Sequence, residues 1–90
     1  KLIQELSETE FLINGATEID DFFEKFDLWA DEDEFTANTV SGFVTEVLGE
    51  LPQTNKCFEF KNLSIKVTKT TRKKVLEIKV KVNEKTEDEE

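Results

Sequence analysis

Histidine is absent from this 90-residue sequence. Its absence removes Ser-His-Asp triads, histidine-assisted cysteine nucleophiles and the common zinc sites. Cysteine occurs once, at Cys57, so no internal disulfide can form. Cys57 opens an apolar stretch beside Phe58 and is read as a small buried or half-buried hydrophobe. The three glycines, Gly15, Gly42 and Gly49, are scattered, which leaves no glycine-rich loop to cradle a phosphate. No run of about 18 apolar residues exists, the length a membrane span needs. No basic-then-apolar leader is present. The chain begins at Lys1 rather than methionine, so it is expected to be a piece of a longer protein, any leader or span of which would lie outside it.

Acid dominates what is there, with a formal net charge of -9, but it is unevenly spread. Residues 1–55 hold 14 acids and 2 bases, residues 56–83 hold 9 bases and 2 acids, and residues 84–90 hold 5 acids and 1 base. The first part repels nucleic acid and anionic lipid, and the later part attracts them. Ninety residues make one domain with a modest core.

The clearest element is the segment Thr39 to Pro52. Apolar residues at 40, 43, 44, 47, 48 and 51 form one helical face, capped by Asn38 or Thr39 and closed by Gly49 and Pro52. The helix is read from Thr39 to Glu50. Gly42 inside it implies close approach of another backbone. A first helix is read from Glu18 to Phe26, with Thr17 as N-cap and the stripe Ile19, Phe22, Phe23, Phe26 packed in the core. Residues 1–8 read as a linker or a short lead-in helix, with Leu2, Ile3 and Leu6 at helical spacing. Thr9 to Ile13 is a strand candidate ended by the turn Asn14-Gly15.

The last part is β. Cys57 to Phe60 places Phe58 and Phe60 on one face. Leu63, Ile65 and Val67 alternate with Ser64, Lys66 and Thr68, and Leu76, Ile78, Val80 and Val82 alternate with Glu77, Lys79 and Lys81. These strands form an antiparallel meander with lysines on the wet face. The fold class is therefore a small α+β domain over residues 9–83, in the order β-α-α-β-β-β, with two helices on one face of an antiparallel sheet. Glu84 to Glu90 reads as a disordered acidic tail.

Between the helices lies the acid-rich loop Asp31-Glu32-Asp33-Glu34, with Trp29 and Phe35 expected to anchor its ends. These four carboxylates are the metal candidates, since hard cations take oxygen ligands. The spacing fails an EF-hand: counted from Asp31, the fifth position is Phe35 and the sixth Thr36. The loop is read as solvated, with weak Mg²⁺ binding as the alternative. No catalytic pair stands out among the 21 acids. The lysines of the β region solubilise and protect the sheet, and lack the interleaved aromatics that RNA stacking uses.

Taken in order, these features resemble the CorC/HlyC transporter-associated domain over residues 9–82. That family opens on a strand and turn like Ile13-Asn14-Gly15, then a helix like Ile19 to Phe26 and a pair like Asp27-Leu28. An aromatic like Phe35 precedes the signature Thr39-Val40-Ser41-Gly42, and the helix ends like Leu48-Gly49-Glu50-Leu51-Pro52. Strands like Phe58 to Phe60 and Leu63 to Val67 follow, then a basic turn and a last strand. One departure is Asn55-Lys56, where the family often has Gly-Asp.

The resemblance implies a non-catalytic regulatory or interaction domain of a CBS-containing, hemolysin-like membrane protein that exports magnesium or cobalt. It implies a place on the cytoplasmic side of the membrane. Its partners would be the CBS pair, the membrane domain of the parent chain or another copy of itself, with no nucleic acid and with membrane contact only through the parent. It implies a fold like a subdomain of FAD-binding oxidases (PCMH-like). No phosphate-cradling motif accompanies that likeness, so no cofactor is expected, with FAD admitted by fold alone. A ligand-sensing module for a divalent cation or an adenine or flavin nucleotide is the rival reading.

Overall fold

A computed structural model describes residues 2–26 and 36–83. The elements are β1 (Ile3–Glu5), β2 (Glu10–Asn14), α1 (Ile19–Phe26), α2 (Val40–Leu48), β3 (Cys57–Phe60), β4 (Leu63–Thr70) and β5 (Val75–Val82). All five strands join one antiparallel sheet in the spatial order β1-β2-β5-β4-β3. The β3-β4-β5 meander is present, and β2 pairs with the far side of β5, where Phe11 faces Val80 and Ile13 faces Ile78.

The core lies on one face of this sheet. Phe11, Ile13, Leu63, Ile65, Val67, Ile78 and Val80 point into it, and α1 (Ile19, Phe22, Phe23) and α2 (Val40, Phe43, Val44) cover them. Burial, not propensity, holds short helices of this length. The phenylalanine stripe packs as core. Phe43 sits at the centre, its ring 5.4 Å from Phe22, 5.5 Å from Phe23 and 5.0 Å from Phe60, in edge-on and tilted geometries that aromatic quadrupoles favour.

Helix α2 is capped by Thr39 and Gly49, so it ends at Leu48, two residues short of the Glu50 read from the sequence. The Thr39 side chain accepts from Gly42 N, and Gly49 closes the helix at φ 80, the left-handed backbone where a side chain is strained. Gly42 is close to the Ala37 side chain rather than to another backbone: a Cβ there would stand 2.8 Å from Ala37 Cβ. The tight backbone approach is at Gly15, where a Cβ would fall on the Val75 carbonyl oxygen.

Several other expectations are corrected. Residues 1–8 contain β1: Ile3 pairs with Ile13 and Glu5 with Phe11, so the sheet has a fifth strand. The spacing of Leu2, Ile3 and Leu6 is helical, but in the strand only Ile3 packs on the core while Leu2 and Leu6 are exposed, and the open edge of β2 decides by pairing backbone groups that a lone turn of helix would leave to water. Thr17 is not the N-cap of α1. Its hydroxyl donates to Leu2 O at 3.4 Å and its own carbonyl accepts from Val40 N at 2.8 Å, tying β1 to α2.

Leu76 points outward, 38% exposed, while Val75 is buried. The β4–β5 ladder steps from Val67↔Ile78 to Lys69↔Glu77 to Thr70↔Val75, so Thr68 and Leu76 drop out and the strand changes face. At the Asn55-Lys56 departure, Asn55 itself takes the left-handed backbone at φ 76, a conformation asparagine tolerates. Trp29, Phe35 and the acidic tail 84–90 lie outside the described residues.

Candidate functional site

Among the described residues, both helices pack on one face of the sheet and leave the second face uncovered. Strict alternation outside the bulge places Glu10 and Leu12 of β2, Lys79 and Lys81 of β5, Ser64 and Lys66 of β4, and Cys57 and Glu59 of β3 on that face. The register sets them in two rows: Cys57, Lys66, Lys79, Leu12 and Glu59, Ser64, Lys81, Glu10. All of these except Leu12 line a shallow groove of about 340 Å³.

Its electrostatics are unusual for a merely solubilising surface. Lys66 stands directly across from Lys79, a like-charge pairing that costs stability. Lys79 is pulled towards Glu10, with Nζ 3.5 Å from the carboxylate. Among the described residues, Lys66 has no carboxylate within ion-pair distance. Ser64 accepts from Asn83 Nδ2 at 2.7 Å, which fixes the hydroxyl at the end of the groove.

Cys57, expected to be buried or half-buried, is exposed here. Its thiol donates to Asn55 O at 3.6 Å. Alternation with the inward Phe58 and Phe60 puts it on the open face, and that signal was in the sequence. Lysines, a held hydroxyl and an exposed thiol on an open sheet suit a contact surface. A second hollow of about 370 Å³ lies past the end of α2, lined by Leu48, Glu50, Leu51, Pro52, Gln53 and Lys56.

The metal candidates Asp31, Glu32, Asp33 and Glu34 lie outside the described residues. Among the described residues, no group of three or more acids or thiols is placed to hold a metal ion. The chain that follows the acid loop is fastened to α2, because the Glu46 carboxylate accepts from Thr36 N at 3.2 Å and Ala37 N at 3.3 Å. Sequence reasoning missed this anchor, since Glu46 reads as one more acid on a wet helix face.

The CorC_HlyC model, described as a transporter associated domain, matches residues 4–84. The magnesium and cobalt efflux protein CorC of Pasteurella multocida (strain Pm70) is 26% identical over 83 residues, covering 91% of this chain and 27% of that protein. The chain thus spans about a quarter of the length of the curated relative it matches.

A CorC-associated region from Neisseria meningitidis MC58 superposes with a TM-score of 0.81 at 24% identity, covering 91% of this chain and 99% of that one. The CorC_HlyC domain of a Xylella fastidiosa Temecula1 hemolysin, solved in complex with Mg²⁺ and Mn²⁺, superposes with a TM-score of 0.77 at 15% identity, covering 93% of this chain and 100% of that one. Both share the fold. With the family model spanning nearly its whole length, the chain belongs to the CorC_HlyC transporter-associated domain family.

Proposed function

We propose that this chain is a non-catalytic regulatory or interaction domain of a longer, CBS-containing membrane protein, and that it modulates divalent cation efflux from the cytoplasmic side. The observation that carries this reading is the alignment of 83 residues with a magnesium and cobalt efflux protein, of which they make up 27%. A domain of that share, built with one helix-covered face and one open face, is suited to pack against other parts of its chain. The open groove and the hollow past α2 are the contact surfaces, and the CBS pair, the membrane domain or a second copy are the partners. The test is binding in trans: purified chain is titrated onto the parent lacking this domain. Saturable binding that weakens when Lys66 and Lys81 are both changed to Glu supports the reading, and no binding argues against it.

A second reading is favoured by the metal-bound Xylella fastidiosa domain. Here Asp31, Glu32, Asp33 and Glu34 bind a divalent cation, and Glu46 transmits the loop's state to α2. An adenine or flavin nucleotide, FAD being admitted only by what the family resemblance implies of the fold, would be the alternative ligand. Thermal unfolding of the metal-free chain with Mg²⁺, Co²⁺, FAD or ATP separates the readings. A midpoint that rises with the logarithm of ligand concentration above Kd, as a stability gain of RT ln(1 + [L]/Kd) requires, supports sensing, while a flat response to all four leaves the contact reading.

A further inference from the structure

Between Glu59 and Glu77 the sequence has six bases and no acid. Four of them, Lys69, Arg72, Lys73 and Lys74, gather at the turn between β4 and β5, and all four are exposed. The turn is tightly built. Thr71 N donates to Lys74 O at 2.8 Å, and the Thr71 hydroxyl accepts from Lys73 N at 3.1 Å and Lys74 N at 3.2 Å. The hairpin thus presents its cations from a defined tip.

The same end of the sheet carries exposed leucines. The bulge turns Leu76 outward, and Leu2 is 47% exposed. Backbone bonds bring the two together: Leu76 O accepts from Gly15 N at 2.8 Å, and Leu2 O accepts from Asn14 N at 2.7 Å. Leu76 thus follows the four-cation tip by two residues, and Leu2 lies at the same end of the sheet, across β2 from it. The carboxylate nearest in the strand, Glu77, is engaged by the Thr68 hydroxyl at 2.8 Å. Glu18, Asp20 and Asp21, at or beside the start of α1, belong to the helix layer instead.

We propose that this end of the sheet docks onto a bilayer surface with anionic headgroups, hairpin tip first. Lys69, Arg72, Lys73 and Lys74 meet the headgroup charge, and Leu2 and Leu76 enter the interface. Cations with neighbouring apolar side chains are what an interfacial surface combines, since neither alone holds a protein there firmly. Charge alone would fit an acidic protein segment equally well. The outward leucines favour lipid, because a polyanion gives them nothing to enter. The inference stands on this chain's residues and not on the reading of the parent, and it departs from the expectation that membrane contact comes only through the parent.

The test is co-sedimentation of the chain with vesicles of phosphatidylcholine alone or mixed with phosphatidylglycerol, beside fluorescence titration with soluble polyglutamate. Binding to the anionic vesicles is expected, falling about tenfold in Lys73→Glu/Lys74→Glu and with added salt. Leu2→Ser/Leu76→Ser is expected to cut vesicle binding several-fold and to leave any polyglutamate binding unchanged. All four substitutions are at exposed positions, and circular dichroism checks that each variant is folded. Three results would overturn the proposal: equal binding to neutral vesicles, no loss in the lysine variant, or loss in the lysine variant with none in the leucine variant. The last would assign the tip to an acidic protein segment.

Discussion

Replacing Gly15 by alanine tests how the sheet, the β2–α1 turn and α2 are joined. Gly15 is not in the left-handed region, so its backbone admits a side chain, and the cost must come from contact alone. A Cβ there meets the Val75 carbonyl oxygen, with Val75 C at 3.0 Å and Leu76 C at 3.3 Å. All three are backbone atoms and cannot rotate away. Relief requires the start of β5 to move from the turn. That movement strains the bond from Gly15 N to Leu76 O at 2.8 Å and the bond from Ser41 N to Gly15 O at 2.9 Å.

Overpacking a tight site costs about 1–3 kcal/mol, and each weakened hydrogen bond adds about 1 kcal/mol. The expected loss is about 2–4 kcal/mol, a large part of the roughly 5–14 kcal/mol typical for this length. In a domain of this size it lowers Tm by about 10–25 °C. Urea unfolding followed by far-ultraviolet circular dichroism gives the value. Gly49→Ala is the comparison: it stands at φ 80 with nothing within 4 Å, so it carries only the left-handed cost of about 1 kcal/mol. Gly15→Ala within about 0.5 kcal/mol of the unaltered chain, or milder than Gly49→Ala, would mean that the start of β5 yields to a Cβ without cost.

Further outcomes follow from single contacts. Ser41→Ala removes the acceptor of buried Val75 N, whose bond to Ser41 Oγ is 2.9 Å, and should cost about 1–3 kcal/mol with faster hydrogen exchange at Val75. Phe43→Ala, at the centre of the ring cluster, should cost about 3–5 kcal/mol by denaturant unfolding. Glu46→Ala should speed amide exchange at Thr36 and Ala37 about tenfold while global stability, read by urea unfolding, stays within about 0.5 kcal/mol. Lys66→Glu turns a repulsive cross-strand pair with Lys79 into an attractive one, so Tm should rise by an amount equivalent to about 0.2–1 kcal/mol, less at high salt.

Much of the fold is legible where a period runs long enough. Six apolar positions and a Gly-Pro close define α2, the phenylalanine stripe defines α1, and alternation defines β4. What escaped depends on contacts distant in sequence or on single residues out of step. β1 has three residues and acquires its identity from β2. The pairing of β2 with β5 joins residues more than 60 positions apart, which local pattern does not encode. The bulge at Thr68 and Leu76 breaks an alternation that looks unbroken on paper. Thr17 resembles a cap in sequence, but the carbonyl of Leu2 claims its hydroxyl.

The site was legible in composition rather than in geometry. Lysines on a wet face follow from alternation, whereas Lys66 opposite Lys79 requires the β4–β5 register. The exposure of Cys57 follows once Phe58 and Phe60 are placed inward.

Transport shows directly whether the domain modulates cation efflux, as proposed for the longer protein. Cells or vesicles carrying the full-length parent are loaded with Mg²⁺ or Co²⁺, and efflux is compared with that of a parent lacking residues 4–84, at matched membrane levels. The rate, or its dependence on internal cation, is expected to change while insertion into the membrane does not. Identical efflux curves for the two proteins would contradict it.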